Sequence, residues 1–279
     1  MNKKIGIIFA LVLVAFLVMG TASAGLFDFL GGNNASNNAT ANDENTFIVG
    51  FDAEFPPYGY KDNSGNYVGF DLDLAKEVCE RNNWTFKAQP IDWDAKDAEL
   101  DSGSIDCIWN GFTINGREND YTWSEPYIDN KQVIVVKSDS GINSLDDLAG
   151  KTVETQKDSS ALSALKGDNK TLSDKFATLT EVADYNTAFM DLESGACDAV
   201  AVDIGVGQHQ ISSKSNSDAY KILTDPISSE QYGIGFKKGN DALKDKVQAT
   251  LDEMFADGTV VKIAQNYSDS GVPGSLITK

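Results

Sequence analysis

Apolar residues along this chain follow two rhythms, short continuous runs and longer stripes at helical spacing, and the two alternate. FIVGF (47–51) reads as a short buried strand. Over 71–82, Leu72, Ala75, Val78 and Cys79 recur at three- and four-residue intervals, which predicts a helix. WTFKAQP (84–90) reads as a strand, 94–103 as a short helix stopped by Gly103, and 105–111 as a strand running into Gly111. KQVIVVK (131–137) is almost wholly apolar, as expected of a strand covered on both faces. A short helix is predicted from Ser144, a good N-cap residue. A strand at 151–156, helices at 159–167 and 185–195, and a strand at 198–203 follow. Leu243, Val247, Leu251, Met254 and Phe255 form a late helical stripe, and Ile263, Ala264 and Tyr267 continue with another. This alternation predicts an α/β architecture with largely parallel sheets. A span of about 230 residues divides more naturally into two lobes than into one layer.

The first 24 residues have a different texture. Lys3 and Lys4 precede an apolar run (5–19), and Ala22-Ser23-Ala24 follows, the pattern of an export signal. The run is shorter than the roughly 20 residues of a membrane span, so a retained anchor is the second reading. Residues 25–46 are rich in Asn, Ala and Gly, with little to bury after Leu30, and read as a flexible linker. The expected location is therefore extracytoplasmic, at the cell surface or in the periplasm, with tethering by the N-terminus as an option.

Charge and cysteine content narrow the partners. Acidic residues outnumber basic ones by 42 to 23, a formal charge of −19, which argues against nucleic acid as partner, since phosphate binding needs a basic surface. Cys79, Cys107 and Cys197 are an odd set, so at least one thiol stays free. There is no C-x-x-C pair, and His209 is the only histidine, so no metal or cofactor is expected.

In open α/β sheets, ligands sit just beyond the carboxyl ends of strands, and the chemically distinctive residues of this chain fall there. After 47–51 comes Asp52-Ala-Glu-Phe-Pro-Pro-Tyr58, a loop stiffened by two prolines that presents Phe55 and Tyr58. Trp93 follows the next strand. After 105–111, Gly111 admits close backbone approach, Thr113 offers a hydroxyl, and the Arg117 fork suits a carboxylate. After 151–156, Ser159 and Ser160 open a helix whose free N–H groups and hydroxyls suit an anion; simple N-capping by Ser159 is the other reading. Asp203 ends the 198–203 strand, placed either to bind an ammonium group or to cap the following helix. Together these residues complement an α-amino acid: carboxylate to Arg117, ammonium to Asp203, side chain to the aromatics.

The motifs GFDLDLAKEV (69–78), SGSIDCIWNGFTINGR (102–117), YTWSEPY (121–127), SLDDLAGKTV (144–153) and SGACDAVAVD (194–203) resemble those of the extracellular solute-binding proteins of polar amino acid ABC transporters. The family includes lysine/arginine/ornithine-, histidine-, glutamine- and cystine-binding proteins. The resemblance runs from Phe47 to Tyr267. It implies a two-lobed type II periplasmic-binding-protein fold with two hinge strands. Lobe 1 would cover 47–134, lobe 2 135–228, and 229–279 would return to lobe 1, with hinges near 133–136 and 228–232. It further implies that Arg117 grips the ligand carboxylate, that Asn110, Gly111 and Thr113 bind through backbone and hydroxyl groups, and that Ser160 completes the carboxylate cage. Asp203 would take the ammonium, Phe55 and Trp93 would wall the side chain, and Asp52 would meet a polar side-chain end. Two departures stand out: the loop from Gly111 to Arg117 is one residue shorter than in many members, and Lys157-Asp158 replace small residues, often Ala-Gly.

The implied role is non-catalytic: capture of an L-amino acid by hinge closure, and delivery to the membrane permease of an ABC transporter, with the binding protein acting as a monomer. Asp52, Glu54 and Asp203 lean toward a polar or cationic side chain; Phe55 and Trp93 equally suit glutamine or a sulfur-containing ligand such as cystine. Two alternatives use the same fold. A sensing domain would serve a partner receptor. An exported dehydratase would need an acid/base pair, for which Glu54 stands alone.

Overall fold

A computed structural model describes residues 45–277 of the chain. The export signal (1–24) and nearly all of the linker (25–46) lie outside the described residues; Thr46, assigned to the linker, already belongs to the first strand.

The strands are β1 (Thr46–Phe51), β2 (Glu54–Phe55), β3 (Gly59–Lys61), β4 (Tyr67–Val68), β5 (Thr85–Pro90), β6 (Cys107–Thr113), β7 (Thr122–Trp123), β8 (Ile128–Lys137), β9 (Thr152–Gln156), β10 (Thr178–Val182), β11 (Ala199–Asp203), β12 (Tyr220–Ile222) and β13 (Ser228–Phe236). The helices are α1 (Phe70–Asn82), α2 (Lys96–Ser102), α3 (Ser160–Lys166), α4 (Lys170–Ser173), α5 (Tyr185–Ser194), α6 (Ile204–Ser212), α7 (Asp241–Ala256), α8 (Thr259–Gln265) and α9 (Val272–Ser275). Every strand and helix expected from the hydrophobic pattern is present, with ends shifted by a few residues. Ser144 caps a 3-10 turn (Leu145–Leu148) through a capping box with Asp147. The small β2-β3-β4 sheet was not foreseen, because its strands are too short to show a period.

The main sheet runs β10-β9-β11-β8-β13-β6-β1-β5. Pairing is parallel at both flanks, β1 with β5 and β6, and β9 with β10 and β11. It is antiparallel wherever β8 or β13 takes part. The expectation of largely parallel sheets is therefore corrected to a mixed one. The reason lies in the two long central strands. The first half of β8 pairs the first half of β13, Ile128↔Tyr232 through Gln132↔Ser228. The second half of β8 then pairs β11, and the second half of β13 pairs β6. The two parallel flanks are joined by this crossing.

The predicted stripe of α1 is fully used: Leu72, Ala75, Val78 and Cys79 are all buried. A separate apolar cluster, including Ile134, Val136, Val153, Leu165 and Ala201, fills the β9/β11 flank. All three cysteines are buried free thiols, and burial pushes Cys79 and Cys197 up to about 12, so they are inert.

One buried carboxyl ties α1 to β6. Asp71 accepts from the Gly111 N–H and, at 2.8 Å, from the Tyr127 hydroxyl. Burial raises Asp71 to about 7 against these hydrogen bonds. Its folded value exceeds that of an unfolded aspartate, so its stabilising contribution is complete below about pH 4 and is lost as pH rises through about 7. The melting temperature should therefore fall between about pH 5 and pH 8, and Asp71→Asn should shrink that fall in circular-dichroism melts. An equal fall in both proteins would clear Asp71 of the effect. At the entry to α1, Gly69 holds φ +142°, and a Cβ there would meet the Tyr58 carbonyl oxygen at 2.2 Å. Gly69→Ala should cost about 1–3 kcal/mol in urea unfolding, because backbone rather than a side chain must yield.

Candidate functional site

The ends of β6, β9 and β11 and the loop after β1 converge on one point. Phe55, Trp93, Gly111, Thr113, Arg117, Ser160 and Asp203 line a cavity of about 20 Å³, together with Gln156 and Ser159. Seven of the nine residues expected at the site thus meet there. The other two lie beside it. Asp52 lines an adjoining cleft, and Asn110 is buried behind the β1 loop, where its Oδ1 accepts from the Asp52 N–H at 2.9 Å.

Local structure explains each placement. Gly111 holds φ +55°, and a Cβ there would meet the Phe55 ring at 2.8 Å, so only glycine lets the aromatic wall approach the strand. Phe55 packs against Tyr58 and Tyr185, with ring centres 5.9 Å apart in each case. Trp93 stands edge-on to Phe112 at 5.4 Å, and the Arg117 guanidinium lies 5.2 Å from the same Phe112 ring. Arg117 donates to the Thr113 carbonyl at 3.3 Å and the Asp158 carbonyl at 3.0 Å. The shortened loop therefore still brings Arg117 to the site. Ser159 is a true N-cap, accepting from Leu162 N–H at 3.1 Å. Asp203 sits at the N-cap position of α6 but makes no capping bond; its Oδ1 accepts instead from Asn130, Gln132 and Tyr232. Burial and the neighbouring Glu230 charge raise Asp203 to about 7.

Several contacts bridge the β1/β5/β6 flank to the β9/β10/β11 flank. Lys96 pairs with the Asp158 carboxylate, Gln156 donates to Asp52, and Asn186 donates to Glu54. Asp158, one of the two residues that depart from the family pattern, holds φ +54°. That left-handed conformation is the one a glycine accepts freely and an aspartate tolerates. It points the carboxylate at Lys96 and the carbonyl at Arg117. The 20 Å³ cavity is room for about one water molecule.

Beside this cavity, and sharing Trp93 with it, lies a cleft of about 630 Å³. Its walls include Asp52, Glu54, Asp92, Asp94, Glu99 and Asp184, against the single cation Lys157. Burial raises Asp52 to about 6, and burial together with Asp184 raises Glu54.

Sequence reasoning missed Gln156, Asn130, Gln132 and Glu230. Thr113 and Ser160 both donate to Glu230, Thr113 at 2.8 Å, so the hydroxyls expected to meet a ligand carboxylate hold this side chain. A signal existed. Asn130 and Gln132 are polar residues at two-residue spacing on the buried face of β8, and Glu230 is the buried member of the polar run that opens β13.

Residues 47–270 match the model of the bacterial extracellular solute-binding proteins, family 3. The L-cystine-binding protein TcyJ of Escherichia coli (strain K12) is 27% identical over 230 residues, covering 81% of this chain and 84% of that one. The arginine-binding extracellular protein ArtP of Bacillus subtilis (strain 168) is 30% identical over 237 residues, covering 84% and 90%. Among solved structures, an ABC uptake transporter substrate-binding protein from Streptococcus pneumoniae with bound histidine superposes with TM-score 0.77 at 31% identity, over 80% of this chain and 92% of that one. The chain, with its mixed α/β sheet and its strand-end constellation, belongs to the bacterial extracellular solute-binding proteins, family 3.

Proposed function

We propose that this protein is the extracytoplasmic, non-catalytic binding component of an ABC transporter, that it captures an L-amino acid between two lobes, and that it hands the ligand to a membrane permease. The observation that carries this reading is the convergence of Arg117, Thr113, Ser160, Asp203, Phe55 and Trp93 on one cavity. Arg117 supplies a planar fork for the carboxylate, Asp203 a buried negative charge for the ammonium, and the two rings a clamp. The lobes are 47–134 with 229–279, and 135–228. Their hinges are the segments near 133–136 and 228–232, which lie in β8 and β13, the two strands that run from one flank into the other. Closure is the formation of the bridges described above, and ligand contacts from both flanks favour it.

The side chain of the ligand extends past Trp93 into the acidic cleft. Six carboxylates against one lysine favour a cationic side chain over glutamine or cystine. The two residues displaced from the small cavity fit this reading, since Asp52 faces the cleft and Asn110 fixes the Asp52 backbone.

A thermal-shift screen of residues 25–279, refolded to strip carried-over ligand, tests the reading against the common L-amino acids with ornithine and cystine. Arginine, lysine and ornithine should give the largest shifts; at 1,000 times its dissociation constant a ligand stabilises by about 4.1 kcal/mol. Absence of a shift from every compound would overturn amino-acid capture, and a preference for cystine or glutamine would overturn the cationic side chain alone. Arg117→Ala should weaken binding by at least about 100-fold, or ~3 kcal/mol, in titration calorimetry. Binding within a few-fold of wild type would remove Arg117 from the carboxylate site.

A further inference from the structure

The crossing of β8 and β13 buries two carboxylates side by side. Asn130 and Glu230 are direct cross-strand partners, and Gln132 is the partner of both Asp203 and Ser228. Asn130 Nδ2 donates to Asp203 Oδ1 at 2.7 Å and to Glu230 Oε1 at 2.8 Å. Gln132 Nε2 donates to the same two oxygens at 2.6 and 2.7 Å. The two carboxylates therefore lie within the span of shared nitrogens. Exposure is 4% for Asp203, 6% for Glu230, 2% for Asn130 and 0% for Gln132. Neither carboxylate forms an ion pair with a lysine or arginine among the described residues.

Two adjacent buried anions without a counter-ion are unstable as such. They need a proton or a cation. Acceptors are in surplus around them. Asn130 Oδ1 and Gln132 Oε1 are buried and take no hydrogen bond, and the three bonds to Asp203 all end on Oδ1, not Oδ2. Asp203 lines the cavity that also holds Arg117, Thr113 and Ser160. What this cluster lacks is a compact group with several N–H donors and a positive charge, which describes a primary ammonium.

We propose that Glu230 is a second carboxylate of the ligand seat: with Asp203 it forms a buried pair that takes one primary ammonium group and releases, in exchange, the proton the pair otherwise shares. This rests on the amino-acid-binding reading above and adds to it a residue and a proton. The charge balances: one ammonium enters, one proton leaves to solvent, and the pair changes from one negative charge to two. The Glu230 charge holds Asp203 at about 7 only after burial has done the larger part, so the proton is present near neutrality. The other ionisable groups facing the pair do not supply it. Tyr58, Tyr185 and Tyr232 are held by burial far above the ordinary tyrosine range, hence neutral. Arg117 is committed to the Thr113 and Asp158 carbonyls.

Titration calorimetry of the wild-type protein against the common L-amino acids, ornithine and cystine tests this at pH 6 and pH 8, and at pH 7 in two buffers of different ionisation enthalpy. Release of a proton from a group at about 7 makes affinity at pH 8 roughly tenfold that at pH 6, with a fractional proton released at pH 7. Glu230→Gln keeps the shape, so it should weaken binding at pH 8 by roughly tenfold or more and reduce the proton release. The des-amino analogue of the same ligand should bind wild type and variant alike. Binding by wild type without proton release, or proton release and affinity unchanged in Glu230→Gln, overturns the seat while leaving amino-acid capture standing. Absence of binding by wild type to any compound overturns both. The wild-type buffer comparison stands even if the variant fails to fold.

Discussion

Five antiparallel residue pairs between β8 and β13, from Ile128↔Tyr232 to Gln132↔Ser228, are the constraint on which the rest of the structure depends. Each strand is long enough to leave the crossing and enter a different flank, β8 toward β11 and β13 toward β6. A pleated strand shows alternate side chains to one face, so Asn130, Gln132 and Glu230 meet because of that register. A slip of one residue would send all of them to the opposite face and apolar neighbours into the site. This polar cluster therefore sits at the β8/β13 crossing and reaches the cavity through Thr113, Ser160 and Asp203.

Around this cluster the electrostatics are one-sided. The chain carries a formal charge of −19, and the cleft beside the cavity repeats the imbalance locally with six carboxylates and one lysine. Two cations near the site, Lys96 and Arg117, are held by specific partners. Lys96, almost fully buried, pairs with Asp158 and lies 5.2 Å from the Trp93 ring. Arg117 leans on Phe112 and on two carbonyls. These contacts are exchangeable: a carbonyl bond to an arginine yields readily to a carboxylate, which binds the same fork with its full charge.

Asp158 illustrates how a departure from family pattern is absorbed. At its φ of +54° a glycine would be unstrained. The aspartate gives up some backbone ease and gains an ion pair to Lys96 across the flanks.

Much of this was legible in the sequence because strands and helices announce themselves by period, and because α/β sheets place chemistry at strand ends. The α1 stripe, the strands at 47–51 and 131–137, and the seven expected residues that line one cavity follow from those two rules alone. Ambiguities of local role did not resolve there. Ser159 and Asp203 each precede a helix and look alike in sequence, yet Ser159 caps its helix while Asp203 turns away to Asn130, Gln132 and Tyr232. Glu230 lies 27 residues beyond Asp203 in the numbering and shares its donors only because β8 brings β11 and β13 to its two ends. Order along the chain determined which groups the protein carries and which strand ends present them. Pairing across the sheet decided which of those groups touch, because hydrogen-bonded register links residues that no local period relates.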